Sequence, residues 1–123
     1  MNVAPDAAPG VATSPVEVLS IGTELLLGRI QDTNSYWLAQ QLAALGATLV
    51  RITVVGDDRA ALLDALGGAV DRGARTLITT GGLGPTPDDL TVECVAALCG
   101  VGTTVHRGVL EDYLRRRAIR EED

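Results

Sequence analysis

Two adjacent carboxylates follow a glycine-rich loop in the stretch TTGGLGPTPDDLT, residues 79–91. Three glycines at the end of an apolar run indicate a backbone that bends sharply or is closely approached. Loop amides can donate to phosphate oxygens, and Mg²⁺ is typically held by one or two protein carboxylates together with substrate phosphates. The candidate phosphate-binding residues are Gly81, Gly82, Leu83, Gly84 and Thr86, and the candidate metal ligands are Asp88 and Asp89.

A capped helix would explain part of the same stretch without any ligand. Thr86 precedes a proline and so favours the extended backbone of an N-cap, and Pro87 suits the first helical position. Asp88 and Asp89 would then lie in the first turn, where the helix dipole favours negative charge by about 0.3–1 kcal/mol. This interpretation predicts a helix over residues 87–98, but it leaves the three glycines unexplained.

A second glycine loop lies in the stretch SIGTELLLGRIQDTN, after the first predicted strand. Glu24 follows Gly22 closely at the strand end, and Asp32 and Asn34 precede a helical pattern. Taken alone, Glu24 is interpreted as a solvated loop acid, and Asp32 and Asn34 as helix caps. Because successive parallel strands end on one rim of a sheet, the two glycine loops are expected to face each other.

The segments that position these loops alternate in character along the chain. VEVLSI, TLVRITVV and RTLITT are short and rich in β-branched residues, and stretches with helical spacing separate them. This alternation predicts βαβ units and a mostly parallel sheet flanked by helices, which is an α/β fold. A short edge strand is predicted over residues 101–105, followed by a charged helix.

Apolar spacing predicts two helices between these strands. The first carries Leu38, Leu42 and Leu45. Asp32 or Thr33 is predicted to cap its start, and Gly46 is predicted to adopt a left-handed conformation at its end. The second carries Leu62, Leu66, Ala69 and Val70.

Composition excludes several classes of function. The 123 residues suit one globular domain, since 46% are apolar and 21% charged. A net charge of −6 opposes the basic field that nucleic acids and anionic membranes require, so neither is expected as a partner. All ten basic residues are arginine. The absence of lysine excludes a Walker-type phosphate loop and Schiff-base chemistry.

Residues 1–15 carry three prolines among small residues and predict a flexible tail, which places the domain at residues 16–123. The tail lacks the basic start and apolar segment of a signal peptide. No stretch approaches the ~18 apolar residues of a membrane span, so a cytoplasmic location is expected.

Cys94 and Cys99 match no metal-binding spacing and are predicted to stay reduced and metal-free.

The two glycine motifs together resemble the N-terminal domain of the CinA (competence/damage-inducible) family, within the molybdopterin-binding superfamily that includes MogA and MoeA. The resemblance extends from Val16 to the end of the chain. It implies a three-layer α/β fold and metal-dependent hydrolysis of ADP-ribose to AMP and ribose 5-phosphate. For the wider superfamily it implies molybdopterin binding or adenylylation. The family domain continues past residue 123, which implies that part of the nucleotide cleft is missing from this chain.

The resemblance also implies roles for individual residues. Glu24 and Asn34 match the family's Gly-x-Glu and Asp-[Ser/Thr]-Asn positions, which makes them candidate site residues together with Gly22. MogA-like proteins carry an Arg-Asp pair where this chain has Asp88 and Asp89. The shared acid is therefore Asp89, which ranks above Asp88 as a metal ligand and catalytic residue.

Two functions remain open at this point. The first is a hydrolase of a phosphoanhydride such as ADP-ribose, in which a divalent ion, expected to be Mg²⁺, is held by Asp89 with help from Asp88. The second is a non-catalytic molybdopterin- or nucleotide-binding module of molybdenum-cofactor biosynthesis. In both, the expected partner is a nucleotide or pterin-phosphate small molecule, and a homo-oligomer is expected. Metal dependence distinguishes them, because a helix cap needs no ion.

Overall fold

The computed structural model of the protein describes residues 14–122. Apart from Ser14 and Pro15, the predicted tail lies outside the described residues. The elements are β1 (Pro15–Ile21), α1 (Thr23–Leu26), α2 (Thr33–Ala44), β2 (Thr48–Val55), α3 (Arg59–Asp71), β3 (Thr76–Thr80), α4 (Thr91–Leu98) and α5 (Arg107–Glu122). No helix among residues 14–122 has the length and apolar character needed to cross a bilayer.

The three strands form one parallel sheet in the order β2-β1-β3. Leu19 and Ile21 point to one face, where they meet Leu62 and Leu66 of α3 in the main core. The alternate residue Ser20 points to the opposite face and contacts α2. Helices therefore cover both faces of the sheet, which confirms the predicted three-layer α/β fold.

The two predicted helices form with the capping that their sequences indicate. The side chain of Asp32 accepts a hydrogen bond from the Ser35 amide at 3.1 Å, which caps α2. Gly46 follows the helix with φ of 74°. Leu62, Leu66 and Ala69 of α3 are buried, as predicted.

Two residues assigned to these apolar faces are exposed instead. Leu45 is 75% exposed because α2 ends at Ala44, which leaves Leu45 as the C-cap rather than a core position. Val70 is 56% exposed, because it lies at the edge of the buried face of α3, about 80° around the helix from Leu62 and about 100° from Ala69. The spacing therefore located both helices correctly but extended each apolar face by one residue too many.

The helix predicted for residues 87–98 begins four residues later than expected, at Thr91. The backbone N–H of Thr91 donates to the carbonyl of Gly82 at 3.2 Å, and its hydroxyl donates to the carbonyl of Gly81 at 2.8 Å. These bonds tie the first residue of α4 to the glycine loop. The predicted N-cap at Thr86 and first helical position at Pro87 are therefore wrong.

The strand predicted for residues 101–105 is also wrong, because no strand occurs between α4 and α5. Val101 and Val105 are exposed, and no neighbouring strand among the described residues pairs with this segment. The charged helix predicted to follow does form, as α5. Its residues up to 120 are exposed except for the half-buried Asp112, so α5 lies outside the packed body.

A buried carboxylate connects β1 to the end of α3. Glu17 is 3% exposed and accepts hydrogen bonds from Nε and Nη2 of Arg72 at 2.8 and 3.0 Å. Arg51 of β2 adds an ion pair at 3.5 Å. Hydrogen bonding from Arg72 lowers the pKa of the Glu17 carboxyl below its ordinary value of 4.5, against the opposing effect of burial. The ionised form of Glu17 therefore stabilises the fold.

We expect Glu17→Gln to lower the free energy of unfolding by about 2–3 kcal/mol near neutral pH, because charge-assisted hydrogen bonds to a buried group are weakened. Since the pKa of Glu17 is lower in the folded than in the unfolded state, its stabilisation is complete above about pH 4.5 and is lost as the pH falls further. Urea unfolding at several pH values should show the two proteins converging in acid.

The matched control for this measurement is Glu93→Gln, which removes an exposed ion pair with Arg59. It should cost less than about 1 kcal/mol, because exposed ion pairs contribute little. Equal losses for the two variants, or a Glu17→Gln deficit that persists at low pH, would contradict the role assigned to the buried carboxylate.

The two cysteines differ in their surroundings, and both are free thiols. Cys94 is buried in the core, and burial raises the pKa of its thiol. Cys99 is exposed at the end of α4. We expect a thiol-reactive dye to modify one cysteine per chain in the native protein and two in denaturant. Rapid modification of both in the native protein would contradict this packing.

Candidate functional site

The carboxyl ends of all three strands meet on one rim. The N–H of Gly22, just after β1, donates to the carbonyl of Val55 at the end of β2 at 2.9 Å. Gly81 follows β3 and packs against the last residue of β1, Ile21. The structure therefore places both glycine loops on the same edge of the sheet.

A cavity of about 140 Å³ opens between the first loop, the start of α2 and the end of β3. The residues that line it with polar side chains or, for glycine, with backbone atoms include Glu24, Asp32, Asn34, Thr80 and Gly81. Three of the predicted site residues, Glu24, Asn34 and Gly81, are thus brought together. Gly22 and residues 82–89 do not line this cavity, and the exposed Leu83 lies on an apolar groove beside α4.

Other residues of the protein closely approach the backbone of Gly81 and Gly82, as the sequence predicted. Gly81 has φ of 90°, and a Cβ there would overlap the carbonyl of Ile21. Gly82 has φ of 64°, and a Cβ there would overlap the hydroxyl oxygen of Thr91. The glycine loop is therefore clamped between β1 and α4. The N–H groups of Gly82 and Leu83 donate to no other group of residues 14–122, so they are available as donors.

Asp89 closes a tight turn with Thr86 beside the glycine loop. Its Oδ2 accepts from the hydroxyl and the backbone N–H of Thr86, at 2.7 and 3.0 Å. Hydrogen bonding from the Thr86 side chain, followed by that from its backbone, holds the pKa of Asp89 below its ordinary value. A Cβ on Gly84 would lie 2.6 Å from Oδ2, so Asp89 is packed under this glycine.

This geometry changes the interpretation of the carboxylate pair. Asp88 is exposed and Asp89 half-buried, and neither lies in the first turn of α4. The capping alternative is therefore wrong for both. Within residues 14–122, no group of three His, Cys, Asp or Glu side chains is arranged to hold a metal ion. A divalent ion at Asp88 and Asp89 would consequently need oxygen atoms of the ligand to complete its coordination.

Sequence reasoning missed one carboxylate on the rim, Asp57. Its Oδ2 accepts from the Thr23 amide at 3.1 Å, and its own amide donates to the Thr23 hydroxyl at 3.0 Å. This reciprocal pair joins the loop after β1 to the loop after β2. Asp57 follows a strand and a glycine, Gly56, so its position at a strand end was a signal that could have identified it.

Comparison with known proteins identifies relatives along most of the chain. Residues 17–117 match a family described as the probable molybdopterin binding domain. The chain is 57% identical over 97 residues to a CinA-like protein of Prochlorococcus marinus (strain MIT 9313), covering 79% of this chain and 22% of that protein. It is 48% identical over 103 residues to a putative competence-damage inducible protein of Shouchella clausii, covering 81% and 24%.

Solved structures of a CinA protein and of a molybdopterin biosynthesis enzyme share the fold of this chain. CinA from Thermoplasma acidophilum, described as of unknown function, matches with a TM-score of 0.74 and 31% identity over 81% of this chain and 59% of that one. The molybdopterin biosynthesis enzyme MoaB from Thermus thermophilus matches with a TM-score of 0.65 and 27% identity, covering 69% and 54%. The chain spans less than a quarter of the length of the two curated relatives named above.

Proposed function

Because the chain belongs to the family of probable molybdopterin binding domains and has CinA-like proteins among its relatives, we propose that it is a metal-dependent pyrophosphatase. Its substrate would be ADP-ribose or a related phosphoanhydride, and its products AMP and ribose 5-phosphate. The observation that carries the proposal is the clamped glycine loop, in which the N–H groups of Gly82 and Leu83 have no partner among the described residues and Gly84 packs against the Asp89 carboxylate.

The glycine loop supplies the phosphate-binding half of this function. The N–H groups of Gly82 and Leu83 are available donors, and backbone amides bind phosphate oxygens without adding a flexible side chain. Clamping of Gly81 and Gly82 keeps the loop rigid before the ligand arrives. A preorganised donor pair of this kind stabilises charge that develops on a phosphoryl group during cleavage.

Asp89 and Asp88 supply the metal-binding half. Hydrogen bonds from Thr86 orient the Asp89 carboxylate and lower its pKa, which favours the charged form that binds a cation. Two carboxylates without a third protein ligand fit an ion such as Mg²⁺, which retains positions for phosphate oxygens and water. A bound divalent ion would polarise the phosphoanhydride and offset the negative charge of these acids.

The cavity behind the loop supports binding of the rest of the substrate. Glu24 and Asn34 lie on its wall and can accept hydrogen bonds from the hydroxyls of a sugar. Its volume of about 140 Å³ is well below the roughly 300–1,000 Å³ typical of complete ligand sites. The cavity therefore suits one sugar or phosphate group rather than a whole nucleotide.

A second candidate function is a binding module for a pterin phosphate, without hydrolysis. The matched family is described as a probable molybdopterin binding domain. The molybdopterin biosynthesis enzyme MoaB shares the fold of this chain. In that case the same amides would hold the ligand's phosphate, and Asp88 and Asp89 would have no catalytic task.

A calorimetric titration with ADP-ribose, with and without Mg²⁺, tests the proposed function. We expect heat of binding only when Mg²⁺ is present, and slow formation of AMP that chromatography detects. Binding that is the same in the presence of a chelator would favour the non-catalytic module. No binding under either condition would exclude ADP-ribose as the substrate.

A further inference from the structure

The central strand carries a hydroxyl at a position that the packing of the sheet does not require. Ser20 of β1 is completely buried, between Leu19 and Ile21, which are core residues. Burying a hydroxyl costs free energy unless it is hydrogen-bonded, and an apolar side chain of similar size would avoid that cost. A hydroxyl at the centre of the sheet therefore has to find hydrogen-bond partners within the fold.

Ser20 belongs to a chain of hydroxyls drawn from three elements. Its Oγ lies 2.6 Å from Oγ of Ser35, which is 4% exposed in the first turn of α2. The hydroxyl of Thr80, at the end of β3, donates to Ser20 at 3.4 Å. Either serine hydroxyl can donate in the 2.6 Å contact, because each has one hydrogen and two lone pairs.

The backbone N–H of the same Ser35 donates to the carboxylate of Asp32, which lies on the wall of the cavity. Burial alone would raise the pKa of Asp32, but hydrogen bonds from Ser35 and Ser20 outweigh it, and the pKa lies below its ordinary value. Helix capping accounts for only one of these bonds, from the Ser35 amide. The buried hydroxyls add orientation and charge stabilisation beyond what a cap needs.

We propose that Asp32 is a ligand-binding residue that accepts hydrogen bonds from sugar hydroxyls in the cavity, and that Ser20 and Ser35 are positioning residues that hold its carboxylate. This inference rests on the proposed function, since it assigns the sugar of the nucleotide to the cavity. An oriented carboxylate with free lone pairs suits a pair of adjacent hydroxyls, which are donors, and repels phosphate. The phosphates accordingly belong to the glycine loop.

Two probes separate the sugar from the phosphates in a calorimetric test of the unaltered chain and its variants. ADP-ribose with Mg²⁺ carries both groups, whereas pyrophosphate with Mg²⁺ carries no sugar. We expect Asp32→Asn to weaken ADP-ribose binding by about tenfold or more and to leave pyrophosphate binding unchanged, because a neutral amide replaces the charged acceptor. Asparagine caps helices as well as aspartate does, so this variant should fold.

The positioning role has its own readout, which needs no ligand. Carbon-detected NMR of the Asp32 carboxyl should show a higher pKa in Ser35→Ala and Ser20→Ala, because each change removes a hydroxyl that stabilises the charge. Thr79→Val is the matched control. It removes a hydroxyl from the neighbouring residue of β3, whose side chain lies on the apolar groove, and should change neither the pKa nor the affinity.

The outcomes distinguish the two proposals. If the unaltered protein binds neither probe, the proposed function and the ligand contact at Asp32 both fail, and the NMR titration still decides the positioning role. If it binds both probes and a folded Asp32→Asn variant binds ADP-ribose equally well, only the ligand contact fails. An Asp32 pKa that is unaffected by both serine substitutions overturns the positioning role.

Discussion

Gly81→Ala should lower the free energy of unfolding by about 2–5 kcal/mol, the largest stability loss that we expect from a single methyl group in this protein. A left-handed backbone costs a non-glycine residue about 1–2 kcal/mol. The added Cβ at φ of 90° would also overlap the carbonyl of Ile21, and relieving such an overlap costs about 1–3 kcal/mol. Since domains of this size are stable by about 5–15 kcal/mol, urea unfolding should show the loss clearly.

Gly46→Ala separates the two contributions. Gly46 has φ of 74°, but a Cβ there would meet no atom within 4 Å, so only the backbone cost applies. We expect a loss of about 1–2 kcal/mol for this control. If the two variants were equally stable, the glycine loop would not be clamped against the central strand.

Asp89→Asn should produce the largest functional loss. Asparagine keeps the size of the side chain and an oxygen that can accept from Thr86, so the turn and the fold should survive. The substitution removes the charge that a divalent ion requires. We expect Mg²⁺-dependent ADP-ribose binding to weaken by at least about tenfold, with turnover reduced in parallel, as measured by calorimetry and AMP formation.

Two variants control this comparison. Thr86→Val removes the hydroxyl that orients Asp89 but leaves the charge, and should weaken binding less than Asp89→Asn does. Asp88→Asn changes the exposed neighbour, which ranks second as a ligand, and should have a smaller effect. Full Mg²⁺-dependent binding and turnover by folded Asp89→Asn would falsify the metal-dependent mechanism.

Short stretches of sequence correctly predicted the helix caps and the strands, because interactions between neighbouring residues determine these features. The caps at Asp32 and Gly46 depend on neighbouring residues, and the strands depend on short β-branched runs, so both could be inferred from short windows of sequence. The start of α4 could not be inferred from a short window of sequence. Its first residue, Thr91, is fixed by hydrogen bonds to Gly81 and Gly82, and this tertiary contact overrides the strong Thr-Pro signal at residue 86.

The candidate site also combines features that short sequence motifs reveal with contacts that depend on the folded chain. The glycine loops and the neighbouring acids are visible as motifs, because their residue types are unusual at the ends of strands. The link between Thr23 and Asp57 spans 34 positions, and that between Ser20 and Thr80 spans 60. Such pairs depend on the order β2-β1-β3, which hydrophobic periodicity does not specify. Their contribution to the site became apparent only from the folded chain.

The central place of the first strand has a consequence for biosynthesis. β1 emerges from the ribosome before both of its partners, yet it pairs on one side with β2 and on the other with β3, whose last residue is Thr80. At about 5–20 residues per second, the nascent strand waits for several seconds with an unpaired apolar edge. Contacts between such distant segments also slow folding. The nascent chain therefore keeps one edge of β1 unpaired until β3 has been synthesised.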